Sequence, residues 1–247
     1  MVLAHRVKNS LAAPERVISG ENSPMKKSPF MIQDYPHLVK YFASKNPLHL
    51  LMFVVPLWIF ISYHLLKLNV SLSVLLIGLL SGVVYWTFLE YVIHRWGYHS
   101  AYKSKMVYYF LGSFHLYHHK DMSDHRILNA GFLMIYIMTP LVLSPFALLF
   151  SVSYLASMAL GLTISYYSYE CVHYLIHYKK YESGYLKYIQ DYHMHHHDKS
   201  PNKNFGNTSH LWDALLGTYD ATYAIYEMSA KTKDTLITSK AVLNAQV

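Results

Sequence analysis

The 247-residue sequence has little charge and almost no cysteine. Asp, Glu, Lys and Arg make up only 14% of it, against about 25% in an average soluble domain, so the composition argues for a chain embedded in lipid. The single cysteine, Cys171, excludes an intramolecular disulfide framework and a cysteine-based zinc module. A net charge of +7 is not gathered into one basic stripe, which argues against a nucleic-acid partner. The N-terminal stretch lacks an apolar core followed by a small-residue cleavage site, so no signal peptide is expected. There is also no Gly-x-Gly-x-x-Gly run for a dinucleotide, no cysteine set for an iron–sulfur cluster and no H-E-x-x-H zinc-protease motif.

What is abundant is apolar sequence in long charge-free runs. Pro47–Leu66 and Leu68–Leu89 contain no formal charge, and each approaches or exceeds the roughly 20 residues needed to cross a hydrocarbon core. Only "KLN" separates them, which predicts a tight antiparallel hairpin. A third run, Ile127–Tyr169, would be about 64 Å long as one helix at 1.5 Å per residue. It must therefore fold back near "SPF" (144–146) or "SVS" (151–153), giving spans at about 47–67, 69–92, 127–148 and 152–172. Of the 21 basic residues, all but Lys67 fall in segments on one side of such a four-span chain, and the positive-inside rule makes that side cytosolic. Residues 1–46 form a cytosolic N-terminal segment in which "DYPHLVKYFASKNP" is expected as an interfacial helix.

Histidines crowd the same side. They read His94-x4-His99, His115-x2-His118-His119, His173-x3-His177 and His193-x2-His196-His197. Residues three or four apart share a helix face, whereas adjacent ones such as His118 and His119 point about 100° apart and suit two different ions. Ten neutral imidazoles buried without metal would leave many polar nitrogens unpaired. They divide naturally into two five-coordinate sets, and all-imidazole ligation suits iron, zinc, copper or nickel rather than calcium or magnesium. The expected architecture is all-α and membrane-integral: four transmembrane helices in two hairpins under a cytosolic helical cap that holds a dimetal site. Glu90 and Glu170, each about one turn before a histidine pair, are candidates to accept the outer ring N–H of a ligand. Asp191 and Asp213 are weaker candidates for the same task, and Tyr167, Tyr174 and Tyr178 are candidates to line the site.

The segments "WTFLEYVIHRWGYH", "HLYHHK", "YECVHYLIHY", "HMHHH" and "NFGNTSHLWDALLGTY" together resemble the membrane fatty acid hydroxylase and sterol desaturase superfamily, and within it the fatty acid 2-hydroxylases. The resemblance runs from about Gly78 to Tyr219, inside a hydroxylase domain drawn at 47–247. It implies a diiron centre held by His94, His99, His115, His118, His119, His173, His177, His193, His196 and His197, with His195 the non-ligating extra. It implies oxygen-dependent hydroxylation of a lipid acyl chain, at C2 of a fatty acid or ceramide acyl group. Zinc is expected as an occupant in purified protein. The residues before 47 are too few for the cytochrome b5 domain that such proteins often carry, so a separate donor, such as cytochrome b5 with its reductase, is expected to supply electrons. The chain also departs from the family in having "HRILNAGF" where many members have a Phe-Pro-Pro element. The endoplasmic reticulum of a eukaryote or the inner membrane of a bacterium would be the location. A sterol or carotenoid hydroxylase or desaturase is the enzyme alternative. A metal transporter is the non-enzyme one, although it would place its polar ligands along a pathway near the bilayer midplane.

Overall fold

A computed structural model describes residues 43–124, 128–132 and 134–238. Most of the expected interfacial helix, and His125 to Ile127 of the "HRILNAGF" departure, lie outside the described residues. Among those residues the fold is all-helical; the only β pairing is an isolated bridge between Ser44 and Asn129.

Helix α1 (Pro47–Lys67) begins where Asn46 accepts a hydrogen bond from the His49 amide at 2.9 Å and Pro47 occupies the first turn. Both are favourable at a helix start. Four residues, with Asn69 in the left-handed region (φ 48°), turn the chain into α2 (Leu72–Val92). The α2 axis continues as a π-helical segment, Ile93–Tyr98. The two helices, Pro47–Lys67 and Leu72–Tyr98, are long and apolar enough to cross a membrane. Their outward faces are apolar as well: Leu48, Met52, Leu66, Leu72 and Leu80 are each at least 65% exposed. A surface of that kind is a poor partner for water and a good one for acyl chains.

The third apolar run does fold back where expected. A 3-10 turn at Ser144–Phe146 ends one arm, and Ser151 caps the start of α6 (Val152–Tyr178) by accepting from the Tyr154 amide. The first arm is not the continuous span drawn at 127–148, however. Its helical part is a short stretch, Met134–Phe146, which passes from π-helix (Met134–Met138) through α5 (Thr139–Leu143) into the 3-10 turn. Two causes are local. Pro140 and Pro145 interrupt the backbone hydrogen-bond ladder, and Asn129 is held out of any helix by bonds from its Nδ2 to the Glu170 carbonyl and carboxylate.

α6 is the element on which the others converge. It runs antiparallel to α1, with Trp58 Nε1 donating to Thr163 Oγ1 at 3.1 Å. Against α2 it is parallel and unusually close. A Cβ at Gly82 would sit 2.1 Å from the Met158 carbonyl oxygen, and one at Gly161 2.1 Å from that of Leu79. The paired sequences are Gly78-x-x-x-Gly82 and Ser157-x-x-x-Gly161, a small-x-x-x-small interface of the kind that lets helix backbones touch in lipid. The small-residue spacing behind this contact is present in the sequence itself. The parallel contact brings the C-terminal ends of α2 and α6, with His94 and His173, to the same end of the molecule.

Candidate metal centre

Five further elements close over that end. α3 (Lys105–Val107) and a π-helical stretch, Tyr108–Gly112, lead into α4 (Ser113–Lys120). α7 (Gly184–Asp198) carries the last histidine group, and α8 (Leu211–Leu215) follows the 203–208 loop. Beyond it, a 3-10 turn at Ala221–Ile225 and α9 (Ala230–Asp234) finish the described chain.

The π-helical geometry explains the odd x4 spacing of the first histidine pair. The His99 amide bonds to the His94 carbonyl five residues back, so the wider turn brings the two rings to 5.0 Å between centroids. Such segments often mark functional sites.

Ten histidines meet, and they meet as two groups. His94, His99, His115, His119 and His196 place one ring nitrogen each within 4.8 Å of one another, and His118, His173, His177 and His193 do the same. In the first group Nε2 atoms face each other at 3.0–3.3 Å: His99 with His94 and His115, His119 with His115, and His196 with both His99 and His119. In the second, His193 Nε2 lies 3.0 Å from His177 Nε2 and 3.0 Å from His197 Nε2. His197 thereby adjoins the second group as a fifth member, and its ring stacks across the seam on His119 at 3.9 Å. Neighbours in sequence are dealt to opposite groups: His118 and His119, and again His196 and His197.

Tautomers support a cation. A carbonyl oxygen only accepts, so His94 Nδ1, 2.5 Å from the Phe205 oxygen, and His196 Nδ1, 2.6 Å from the Lys203 oxygen, must carry their protons. Their Nε2 lone pairs then point inward at other ring nitrogens. Both nitrogens of buried His118 lack any hydrogen-bond partner. Converging lone pairs and an orphaned buried imidazole are costly in a neutral protein and are what a pair of divalent ions would satisfy. Burial holds His115, His118, His119, His193 and His197 well below the ordinary histidine range and brings His196 to about 4. The rings are therefore neutral, the form that ligates.

Several expected outer partners do something else. Among the described residues, Glu90 and Glu170 bond to no histidine nitrogen. Glu90 Oε1 accepts from the Asn207 and Thr208 amides, and its Oε2 accepts from Thr208 Oγ1. Glu170 holds Asn129 and the Ala130 amide. Asp213 accepts from the Phe205 and Gly206 amides, while Asp191 is paired with Lys187. Tyr167 packs on Trp58, and Tyr174 and Tyr178 stack on one another. The tyrosines that do face the histidines are Tyr98, stacked on His115 at 4.7 Å, and Tyr169, parallel to His173 at 5.9 Å. Nothing in their sequence spacing set them apart from the other 22 tyrosines. His195 turns away from both groups, with Nε2 3.0 Å from Thr222 Oγ1.

Two cavities lead toward this cluster. One lies among Glu90, His94, Tyr98, Tyr169 and Glu170. The other is apolar and is lined by Leu89, Met138, Thr139, Val142 and Leu162. They share Trp86, Ile93, Met134 and Tyr166 as walls.

Comparison with known proteins agrees with this geometry. A family model described as fatty acid hydroxylase matches residues 79–218, more than half of the chain. The chain belongs to the fatty acid hydroxylase family. Among its relatives, dihydroceramide fatty acyl 2-hydroxylase FAH2 of Arabidopsis thaliana is 29% identical over 175 residues, 66% of this chain and 70% of that one. Ceramide very long chain fatty acid hydroxylase SCS7 of Saccharomyces cerevisiae is 30% identical over 144 residues, which cover 56% of this chain but only 36% of the yeast protein. The fold resembles a solved structure of full-length scs7p in which only the hydroxylase domain is visible: TM-score 0.63 at 22% identity, covering 79% of this chain and 74% of the other.

Proposed function

We propose that this member of the family hydroxylates C2 of a lipid acyl chain, free or ceramide-linked, in an oxygen-dependent reaction at a dimetal centre. The observation that carries the proposal is the meeting of two histidine groups, one bordering a cavity that shares walls with an apolar one. The named relatives act on fatty acyl and ceramide substrates, which favours this reading over a sterol or carotenoid hydroxylase or desaturase and over a metal transporter.

The ligand assignment is five and five: His94, His99, His115, His119 and His196 for one ion, and His118, His173, His177, His193 and His197 for the other. Two redox-active ions, here read as iron, would supply the oxidising power to break an unactivated C–H bond, which no side chain can do. The residues hold, orient and dry the site. The apolar cavity between α2, α5 and α6 takes the methyl end of the acyl chain, while Trp86 and Tyr166 narrow the way between the two cavities and keep water out. Tyr98 and Tyr169, lying flat on His115 and His173, fix the ring planes. The reaction consumes one dioxygen, two electrons and two protons, leaving one hydroxyl and one water. Electrons come from a separate carrier such as cytochrome b5 with its reductase.

In the membrane, α1, α2 with its π extension, the 134–146 arm and α6 make four crossings, the third a short one completed by local thinning of the bilayer. The histidine end then faces the cytosol, as do Lys103, Lys105, Lys120, Lys179 and Lys180, which would offer a basic landing surface to an acidic electron carrier. The endoplasmic reticulum or a bacterial inner membrane would house it.

The test is mass spectrometry of lipids from cells expressing the protein or its His196→Ala variant. We expect 2-hydroxylated acyl chains with the first and none above background with the second. Hydroxylated sterols or carotenoids in their place would overturn the assignment.

A further inference from the structure

The two histidine groups are not supported alike. In the first, His94 and His196 each donate Nδ1–H to a main-chain carbonyl, and both carbonyls belong to one short loop, Lys203 to Phe205. In the second, only His173 meets a main-chain group, that of Leu128, while the Nδ1 atoms of His118, His193 and His197 find no hydrogen-bond partner.

The loop is in turn held by two buried carboxylates from different elements. Glu90, one turn before His94 on α2, accepts from the Asn207 amide at 2.5 Å, the Thr208 amide at 2.9 Å and the Thr208 hydroxyl at 2.7 Å. Asp213 on α8 accepts from the Phe205 amide at 2.9 Å and the Gly206 amide at 2.7 Å. Gly206 leaves the loop no slack, because a Cβ there would lie 1.9 Å from the Ser209 carbonyl oxygen. Glu90 is 5% exposed and Asp213 fully buried, so neither is a surface charge that happens to be near.

We propose that Glu90 and Asp213 are positioning residues that act through the 203–208 loop to make the two metal sites unequal, the His94 group holding its ion more tightly than the His118 group. The inference rests on the reading of the ten histidines as metal ligands. An imidazole that donates its outer N–H to a fixed carbonyl has its tautomer and ring plane set and is a more basic ligand; loss of such a partner typically lowers metal affinity about 10–100-fold. Two of the five rings in the first group have that support.

The test uses the full chain in detergent micelles, loaded with zinc, and follows release to a chromophoric chelator. The native protein should release its zinc in two phases. His119→Ala should remove the slow phase and His118→Ala the fast one. Glu90→Ala should speed the slow phase by about 10-fold or more and leave the fast phase where it is. Glu90→Gln, which keeps an acceptor oxygen for the two amides, should recover most of the slow phase. Gly206→Ala drives a Cβ into the Ser209 carbonyl and beside Asp213 Oδ2, disturbs the loop without altering a histidine and should act like Glu90→Ala. If these variants do not fold, Thr208→Val, which deletes a single hydroxyl contact, should move the slow phase in the same direction by a smaller factor. A single release phase in the native protein, or variants that shift both phases together or neither, would overturn the inference. A native protein that binds no zinc would instead sink the reading of the histidines as ligands.

Discussion

The two histidine groups are built from the same kind of side chain and share α4 and α7, yet the one completed by the α2 extension is braced by a loop from outside and the one completed by α6 far less. The His94 group leans on loop carbonyls that two buried carboxylates hold in place. The His118 group is packed between α4, α6 and α7 with orphaned outer nitrogens. Ligand count therefore says little about how firmly an ion is held; the hydrogen bonds one layer out decide it.

The largest effects should come from the adjacent pair that is split between the groups. His118→Ala and His119→Ala should each lower turnover to background and each remove one of the two ions, but from opposite groups. Metal analysis paired with a hydroxylation assay checks this, and a variant that lost both ions at once would mean the groups are not separable.

Next in size is the helix contact beneath both groups. Gly82→Val places side-chain atoms where the Met158 carbonyl lies, and overpacking of this sort costs about 1–3 kcal/mol or more. Thermal unfolding in detergent should show a marked loss, and the displaced α6 should weaken the His173 side more than the braced loop.

Acid should then separate the groups by degree. Burial lowers the folded-state pKa values, to about 4 for His196, so the unfolded chain binds more protons below the ordinary histidine value of about 6.5. Stability contributed by the neutral rings is complete above that pH and is lost as pH falls through it toward 4. Melting temperature should drop across that window, with the fast-releasing ion lost at the higher pH.

A smaller effect is expected at His195. Its ring bonds Thr222 and lies 3.4 Å from Asn204 Nδ2, so His195→Ala should keep both ions and most of the activity while losing about 1 kcal/mol of stability. Loss of an ion would mean that α7 presents a different face.

Much of this could be read in the sequence, and the reason is periodicity. A charge-free run long enough to span a bilayer, and histidines at helical spacings, are local patterns that survive without knowledge of the fold. The split of His118 from His119 followed from the 100° step of a helix. The parts not foreseen depend on contacts between distant segments. Glu90 sits one turn before His94, which suggested a direct bond, but its oxygens face residues 207 and 208, more than a hundred positions away. Tyr98 and Tyr169 became site residues only through the π turn and the parallel approach of α2 and α6. The third arm was drawn too long because absence of charge alone does not register what Asn129 and two prolines do to a helix.

The glycine contact between α2 and α6 also has a consequence for the order of events during synthesis. Gly82 and Gly161 are 79 residues apart, and at about 5–20 residues per second the later one emerges roughly 4–16 s after the first. In that interval α2 is present without the surface it was shaped to meet, and four of the five histidines of the braced group have been made while His196 and the loop that steadies it have not. The five-histidine set of the braced group is therefore complete only once α7 has been made, after both helices of the glycine contact.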